Sequence, residues 1–390
     1  MSFYPPIRTL MGPGPSDVYP RVSEALSRPT IGHLDPEFIR LMDETKQLLQ
    51  YAFKTKNELT LPISAPGSAG MEACFVNLLE AGDKAIVCQN GVFGARMKEN
   101  VERCGAQAIM VTDDWGTAID LAKLESAINS NPDAKLVAFV HAETSTGVVS
   151  DAAAICAMAQ THNMLTIVDT VTGLGGINVD VDGWGADAVY SGTQKCLSCT
   201  PGLSPVTFSQ KAQDVITSRK SKVQSWFLDM NLVMGYWGSG TQRAYHHTAP
   251  INALYGLHEA LTILRAEGLN ESWSRHRNNH LALRAGLEAL GLNLPVKPED
   301  RLPQLNAVSV PNGVDEAKVR QYLLNSYGLE IGAGLGELAG KVWRIGLMGF
   351  SSRPTNVRLC VSAMAAALSA QGYKNDVALA LQAVDDSYAS

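Results

Sequence analysis

The 390-residue chain has no apolar run long enough to cross a membrane, and its start, MSFYPPIRTL, has no basic segment leading into an apolar one. We therefore expect neither a membrane span nor a secretory leader, and the end, DDSYAS, is not a peroxisomal SKL-type address. Charge is sparse. At 18% charged residues and a net charge of −6, the chain has no bulk attraction for nucleic acid or an anionic membrane. With 46% hydrophobic residues, it is not a disordered composition either. Cysteine is scarce and odd in number: Cys74, Cys88, Cys104, Cys156, Cys196, Cys199 and Cys360. Most lie in apolar runs, which points to reduced, buried thiols and a cytoplasmic setting. Cys196 and Cys199 form a CxxC with no second pair, so packing is a better reading than redox or metal chemistry. Also missing are a P-loop lysine motif and a strand–GxGxxG–helix fingerprint, which weakens any nucleotide-binding reading.

What is present is an alternation of strands and helices. Residues 1–20 are rich in proline and glycine and read as an extended arm that lies on something larger, often a partner subunit. Asp35-Pro36 then opens a helix, since Asp caps well and Pro suits the first turn; Phe38, Met42, Leu49 and Phe53 follow at helical spacing. Strands are expected at 85–88, 108–111, 136–141, 165–171, 188–193 and 204–209, with helical segments between them. Continuous apolar strands alternating with helices mean a mostly parallel sheet covered on both faces. From about residue 265 the pattern changes to a long polar helix, two shorter strands and a closing helix around 354–371, the signature of a smaller α+β domain. The expected division is an arm (1–20), a large domain (21–265) and a small C-terminal domain (266–390).

Ligands of open α/β sheets bind beyond the carboxyl ends of the strands. Four features fall there: Asp169 on strand 165–171, Gln194-Lys195 after strand 188–193, the run Glu143-Thr144-Ser145-Thr146-Gly147 after strand 136–141, and the turn Pro66-Gly67-Ser68-Ala69-Gly70 that opens a helix. Each has a bland reading alone, as a turn or a structural strand carboxylate. Together they suit one ligand. A helix N-terminus takes a phosphate, a lysine condenses with an aldehyde, and a carboxylate keeps a pyridine ring protonated as an electron sink. A hydroxyl from Thr144 would suit the ring's phenolic oxygen. Arg344 lies in an apolar strand, where a charge needs a partner or a ligand, and its planar fork matches a carboxylate.

The stretches LMGPGPS, NGVFGAR, HAETSTGV, IVDTVTGLGG, YSGTQKCL, AYHHT and GKVWRIGLMG make the whole chain resemble the class V aminotransferases, which are fold-type I pyridoxal-phosphate enzymes. Within them it is most similar to the alanine–glyoxylate and serine–glyoxylate (serine–pyruvate) aminotransferases. The resemblance implies a large domain with a seven-stranded, mostly parallel sheet. It implies Lys195 as the Schiff-base lysine, Asp169 on the pyridine nitrogen, Phe93 stacked on the ring and Val171 on its other face. Gly67, Ser68, Ala69 and Gln194 would hold the phosphate. Thr144 would lie at the ring oxygen and beside the substrate. Tyr245 and Thr248 would reach the phosphate from a neighbouring subunit, which implies a homodimer. Arg344 would bind the substrate carboxylate, with Gly32 and His33 lining the substrate end from the partner chain. The implied substrates are a small amino acid and a 2-oxo acid.

Pro66 departs from the family, where a hydroxyl residue is frequent, and removes one N–H from the phosphate turn. Three other readings compete. In the ureidoglycine–glyoxylate group a Gln and an Asn contact the ureido group, and the matching positions here are His33 and Tyr245, which favours alanine or serine as donor. A cysteine desulfurase needs a reactive cysteine on a late loop, whereas Cys360 is in a helical segment. A non-catalytic scaffold is the rival from another class. His246-His247 reads as structural. His276 and His280, one turn apart on the polar helix, read as solvated surface rather than a metal site.

Overall fold

A computed structural model of the protein describes residues 2–238 and 243–389. Met1 and Ser390, the outer limits of the expected arm and small domain, lie outside the described residues.

The centre is a seven-stranded sheet in the spatial order Leu59–Ile63, Ser204–Phe208, Ala188–Tyr190, Leu165–Asp169, Leu136–Val140, Lys84–Gln89, Gln107–Thr112. Only Ser204–Phe208 runs antiparallel to its neighbours. Leu136–Val140 and Leu165–Asp169 are buried along their whole length, as strands covered on both faces must be. The six expected strands are all present, although four end early, at Val140, Asp169, Tyr190 and Phe208, and release the next residues into loops or turns. The seventh, Leu59–Ile63, was not expected, because Pro62 interrupts its pattern. Proline is tolerated on an edge strand, and Pro62 lies opposite Pro205, so neither residue at that pair has an N–H to leave unpaired.

The helix Pro36–Phe53 begins as its sequence predicts, with Asp35 accepting from the Glu37 N–H at 2.8 Å. A helix absent from the sequence reading, Ile251–Glu267, packs against it. Gly268, at φ +94°, then turns the chain into the long helix Leu269–Ala289.

Buried apolar residues from Val22 to Leu269 form one core around the main sheet. A second core, from Ala282 to Val384 with Met11 added, surrounds an antiparallel sheet ordered Leu305–Ser309, Val342–Gly346, Gly332–Ala333. The expected terminal helix is Pro354–Ser369, and a further helix, Val377–Ala389, follows it. The arm lies on its own chain: Thr9–Leu10 pair in parallel with Leu329–Glu330, while Phe3, Tyr4 and Ile7 are exposed.

One expectation is overturned. His276 and His280 are buried, not solvated. The helix that carries them is wedged between the two cores and turns these two residues inward, while Asn270, Glu271, Ser274, Arg277, Asn278 and Glu288 form its exposed polar face. Its histidines are satisfied internally. His276 bonds the Ser272 carbonyl at 2.6 Å and accepts from the Gly349 N–H at 2.9 Å, and His280 lies 2.6 Å from Asn306 Oδ1. Among the described residues no group of three metal-ligating side chains gathers anywhere.

Candidate active site

The carboxyl ends of several strands open on one cavity of about 220 Å³. Pro66, Gly67, Ser68, Met71, Phe93, Arg96, Asp169, Val171, Tyr190, Gln194 and Lys195 line it. The parallel order of the strands explains the convergence, since each delivers its following loop to the same edge of the sheet.

Lys195 leaves the strand Ala188–Tyr190 through a short loop that the arm holds in place. The Ser16 hydroxyl donates to the Lys195 carbonyl at 2.7 Å, and the Ser16 N–H donates to the Gln194 carbonyl at 2.9 Å. The lysine amine donates to the Pro13 carbonyl. Gly14 sits at φ +106°, and a Cβ there would stand 2.5 Å from Nζ, so this approach requires glycine. Burial, with Arg344 as a second cause, pulls the lysine pKa down to about 8.

Asp169 is the last residue of its strand. Its Oδ2 accepts from the Tyr190 hydroxyl at 2.7 Å and its Oδ1 from the Val171 N–H at 2.8 Å. Burial lifts the carboxyl pKa to about 6, while those two hydrogen bonds pull the other way. The helix Gly67–Leu78 starts at Pro66 without a side-chain cap. Among the described residues the Gly67 and Ser68 N–H groups have no protein acceptor, and Ala69 N–H is taken by the Pro66 carbonyl at 2.7 Å. The Gln194 amide oxygen is buried with no partner. Val171 packs where a Cβ on Gly67 would stand, 3.5 Å away.

Arg344 is buried in the central strand of the small sheet and reaches across to the large one. Its Nε donates to the Ala333 carbonyl at 2.7 Å and its Nη1 to the Thr144 carbonyl at 3.1 Å. Among the described residues its Nη2 has no protein acceptor. Burial lowers its pKa to about 10, against the opposing pull of Glu143. Thr144 itself is off the cavity wall: its hydroxyl lies 2.5 Å from that of Thr172. The buried Glu143 accepts from the Ser145 hydroxyl at 2.5 Å and from the Phe93 N–H at 3.3 Å, and burial lifts its pKa to about 7.

Four expected residues gather elsewhere on the surface. The rings of His33 and Tyr245 are 5.0 Å apart, the Tyr236 hydroxyl donates to the His33 carbonyl at 3.2 Å, and the Tyr245 and Thr248 hydroxyls lie 3.2 Å apart. Gly32 is exposed beside them, and none of the four lines the cavity. His246 and His247 bond each other at 2.8 Å, and His247 bonds Ser64 at 2.7 Å. All seven cysteines are free and buried.

The sequence reading missed Tyr190, Arg96, Met71 and the Pro13-Gly14 contact, and it placed Glu143 at the crevice without giving it a role. The first two carry a signal in hindsight: Tyr190 ends the strand beside that of Asp169, and Arg96 stands one helical turn after Phe93.

Pyridoxal phosphate, the cofactor expected from the sequence, fits this lining. Two free helix-end N–H groups suit its phosphate, and the Gln194 side chain could meet it only through its NH2, since its oxygen is an acceptor. Asp169 suits the ring nitrogen and the depressed Lys195 amine suits the aldehyde.

Comparison with known proteins agrees. A family profile described as "Aminotransferase class-V" matches residues 16–346. The chain is 40% identical to the alanine–glyoxylate aminotransferase of Callithrix jacchus, over 93% of this chain and 88% of that protein. It superposes on the crystal structure of ureidoglycine–glyoxylate aminotransferase from Bacillus subtilis with a TM-score of 0.97, at 38% identity and 100% coverage of both chains. For alanine–glyoxylate aminotransferase from Nostoc sp. the TM-score is 0.92, at 44% identity over 94% of this chain and 97% of that one.

Proposed function

We propose, from the premise that this chain belongs to the class-V aminotransferases, that it moves the amino group of alanine or serine to glyoxylate or pyruvate. The family is pyridoxal-phosphate dependent. The observation that carries the reading is Arg344: a buried guanidinium, fixed by two carbonyls and close enough to depress the lysine pKa, with Nη2 still unspent. That nitrogen suits the carboxylate shared by amino acids and 2-oxo acids.

When bound, pyridoxal phosphate supplies an aldehyde carbon and a protonated ring able to take an electron pair. Lys195 would hold the aldehyde carbon at rest. When freed from that carbon, Lys195 Nζ would take the proton from the substrate α-carbon and deliver it to the former aldehyde carbon. A pKa near 8 keeps part of the amine neutral at physiological pH, as a base must be. Asp169 holds the proton on the ring nitrogen, steadied by Tyr190. Gly67, Ser68, Ala69 and Gln194 would hold the phosphate and Phe93 and Val171 would flank the ring; the Thr144 hydroxyl, paired with that of Thr172, would serve the ring oxygen only on turning from that partner. Gly32, His33, Tyr245 and Thr248 act on a partner's site in a homodimer, which accounts for their distance from this chain's cavity. We place the arm at 1–20, the large domain at 21–265 and the small domain at 266–390, and the enzyme in the cytoplasm.

A second reading, ureidoglycine as donor, is favoured by the TM-score of 0.97 to the ureidoglycine–glyoxylate enzyme. His33 and Tyr245, where that group has Gln and Asn, favour the first. The test is a panel of alanine, serine, aspartate and ureidoglycine against glyoxylate and pyruvate, scored by kcat/KM. A preference for alanine or serine supports the proposal. A higher value for ureidoglycine selects the second reading, and no turnover with any donor leaves the scaffold.

A further inference from the structure

Helix-end N–H groups, an amide and the Tyr245 and Thr248 hydroxyls offered by a partner subunit are all uncharged, so a phosphate dianion held by them lacks a counter-charge, and Pro66 has already removed one donor from this turn. Three charged residues line the cavity: Asp169, Lys195 and Arg96. Lys195 is committed to the aldehyde in the reading above, which leaves Arg96. It shares the wall with Ser68 and Gln194, the residues at the phosphate end. It makes no ion pair among the described residues, although Glu72 and Glu99 line the neighbouring cleft with it. Its guanidinium lies over the Phe93 ring, 4.8 Å from the centroid. Stacking of that kind uses the flat face of the group and leaves the in-plane N–H edge free to donate.

We propose that Arg96 is a phosphate-binding residue, stacked on Phe93 and turning its N–H edge toward the cofactor phosphate. It supplies the positive charge that the Pro66 turn lacks. The assignment rests on the reading that puts the phosphate at the 66–70 turn.

The test compares pyridoxal phosphate with pyridoxal, which has no phosphate, by spectroscopic titration of the apoprotein. Wild type, Arg96→Gln and Arg96→Lys are measured side by side. Arg96→Gln should weaken pyridoxal phosphate roughly 10- to 100-fold, the worth of charge-assisted hydrogen bonds, and leave pyridoxal unchanged. Arg96→Lys should fall between the two. Unchanged pyridoxal binding also shows that the variant is folded. Equal weakening of both ligands would make Arg96 only a prop for Phe93, and an undiminished preference for the phosphate form would remove the role. If wild type itself showed no preference for the phosphate form, the placement of the phosphate would fail first.

Discussion

Tyr190 donates its hydroxyl to Asp169 Oδ2 at 2.7 Å, across adjacent parallel strands in which the two residues are register partners. The hydrogen bond opposes the burial that lifts the carboxyl pKa to about 6, so it favours the ionised form. Removing it in Tyr190→Phe should raise the pH at which Asp169 ionises. The acid limb of kcat/KM then moves to higher pH, the alkaline limb stays, and kcat falls roughly tenfold. A pH series on both proteins checks this, and an unmoved acid limb would separate Tyr190 from Asp169's charge.

Lys195 reacts with an aldehyde only as the neutral amine. With its pKa held at about 8, capture of pyridoxal phosphate by the apoprotein should speed up as pH rises toward 8 and then level off. An ordinary lysine would still be accelerating well above that. Stopped-flow absorbance across pH 6–10 measures it. Borohydride reduction followed by peptide mass analysis should place the cofactor on Lys195, and Lys195→Ala should lose turnover by roughly a thousandfold or more.

Arg344→Ala should raise KM for the amino acid about 100-fold and change kcat much less. It also frees the Ala333 and Thr144 carbonyls, so some stability is lost with it. Arg344→Lys should recover part of the affinity but not the forked geometry. Steady-state kinetics with alanine and serine decide the matter. A KM within a fewfold of wild type would take away the carboxylate role.

The sheet was legible because its strands are apolar runs with period-free burial, and the cavity because its loops follow those strands. Asp169, Gln194 and Lys195 could therefore be placed from sequence. Leu59–Ile63 could not, because an edge strand tolerates the proline that usually argues against one. Arg96 and Glu143 were hidden for a different reason. Arg96 matters for the cavity wall it shares with Ser68 and Gln194, and Glu143, off that wall, for the Phe93 N–H it accepts from; these partners are distant in sequence, and no local pattern records that. Thr144 shows the reverse case: the motif located it in the loop, but the Thr172 hydroxyl opposite decides where its side chain points.

The buried His276 is the sharpest instance of context overruling pattern, and it can be tested. Its helix is polar in sequence, so both of its histidines read as surface. Yet His276 joins the Ser272 carbonyl to the Gly349 N–H in the seam between the two cores. Accepting at Nε2 requires the proton on Nδ1, so the ring is neutral in the fold, and burial pulls its pKa down to about 3. At pH 7, His276→Ala should cost roughly 2–4 kcal/mol from two lost hydrogen bonds, with KM little changed. A folded pKa below the unfolded one means that this residue's contribution is full above about pH 6.5 and is lost as pH falls toward 3. The stability gap between wild type and variant should thus narrow by about 1.4 kcal/mol per pH unit below 6.5. Urea unfolding at pH 7, 5.5 and 4.5 reads the gap. A constant gap would mean that the imidazole takes up its proton as readily in the fold as in the unfolded chain, and that the Gly349 N–H has a different acceptor.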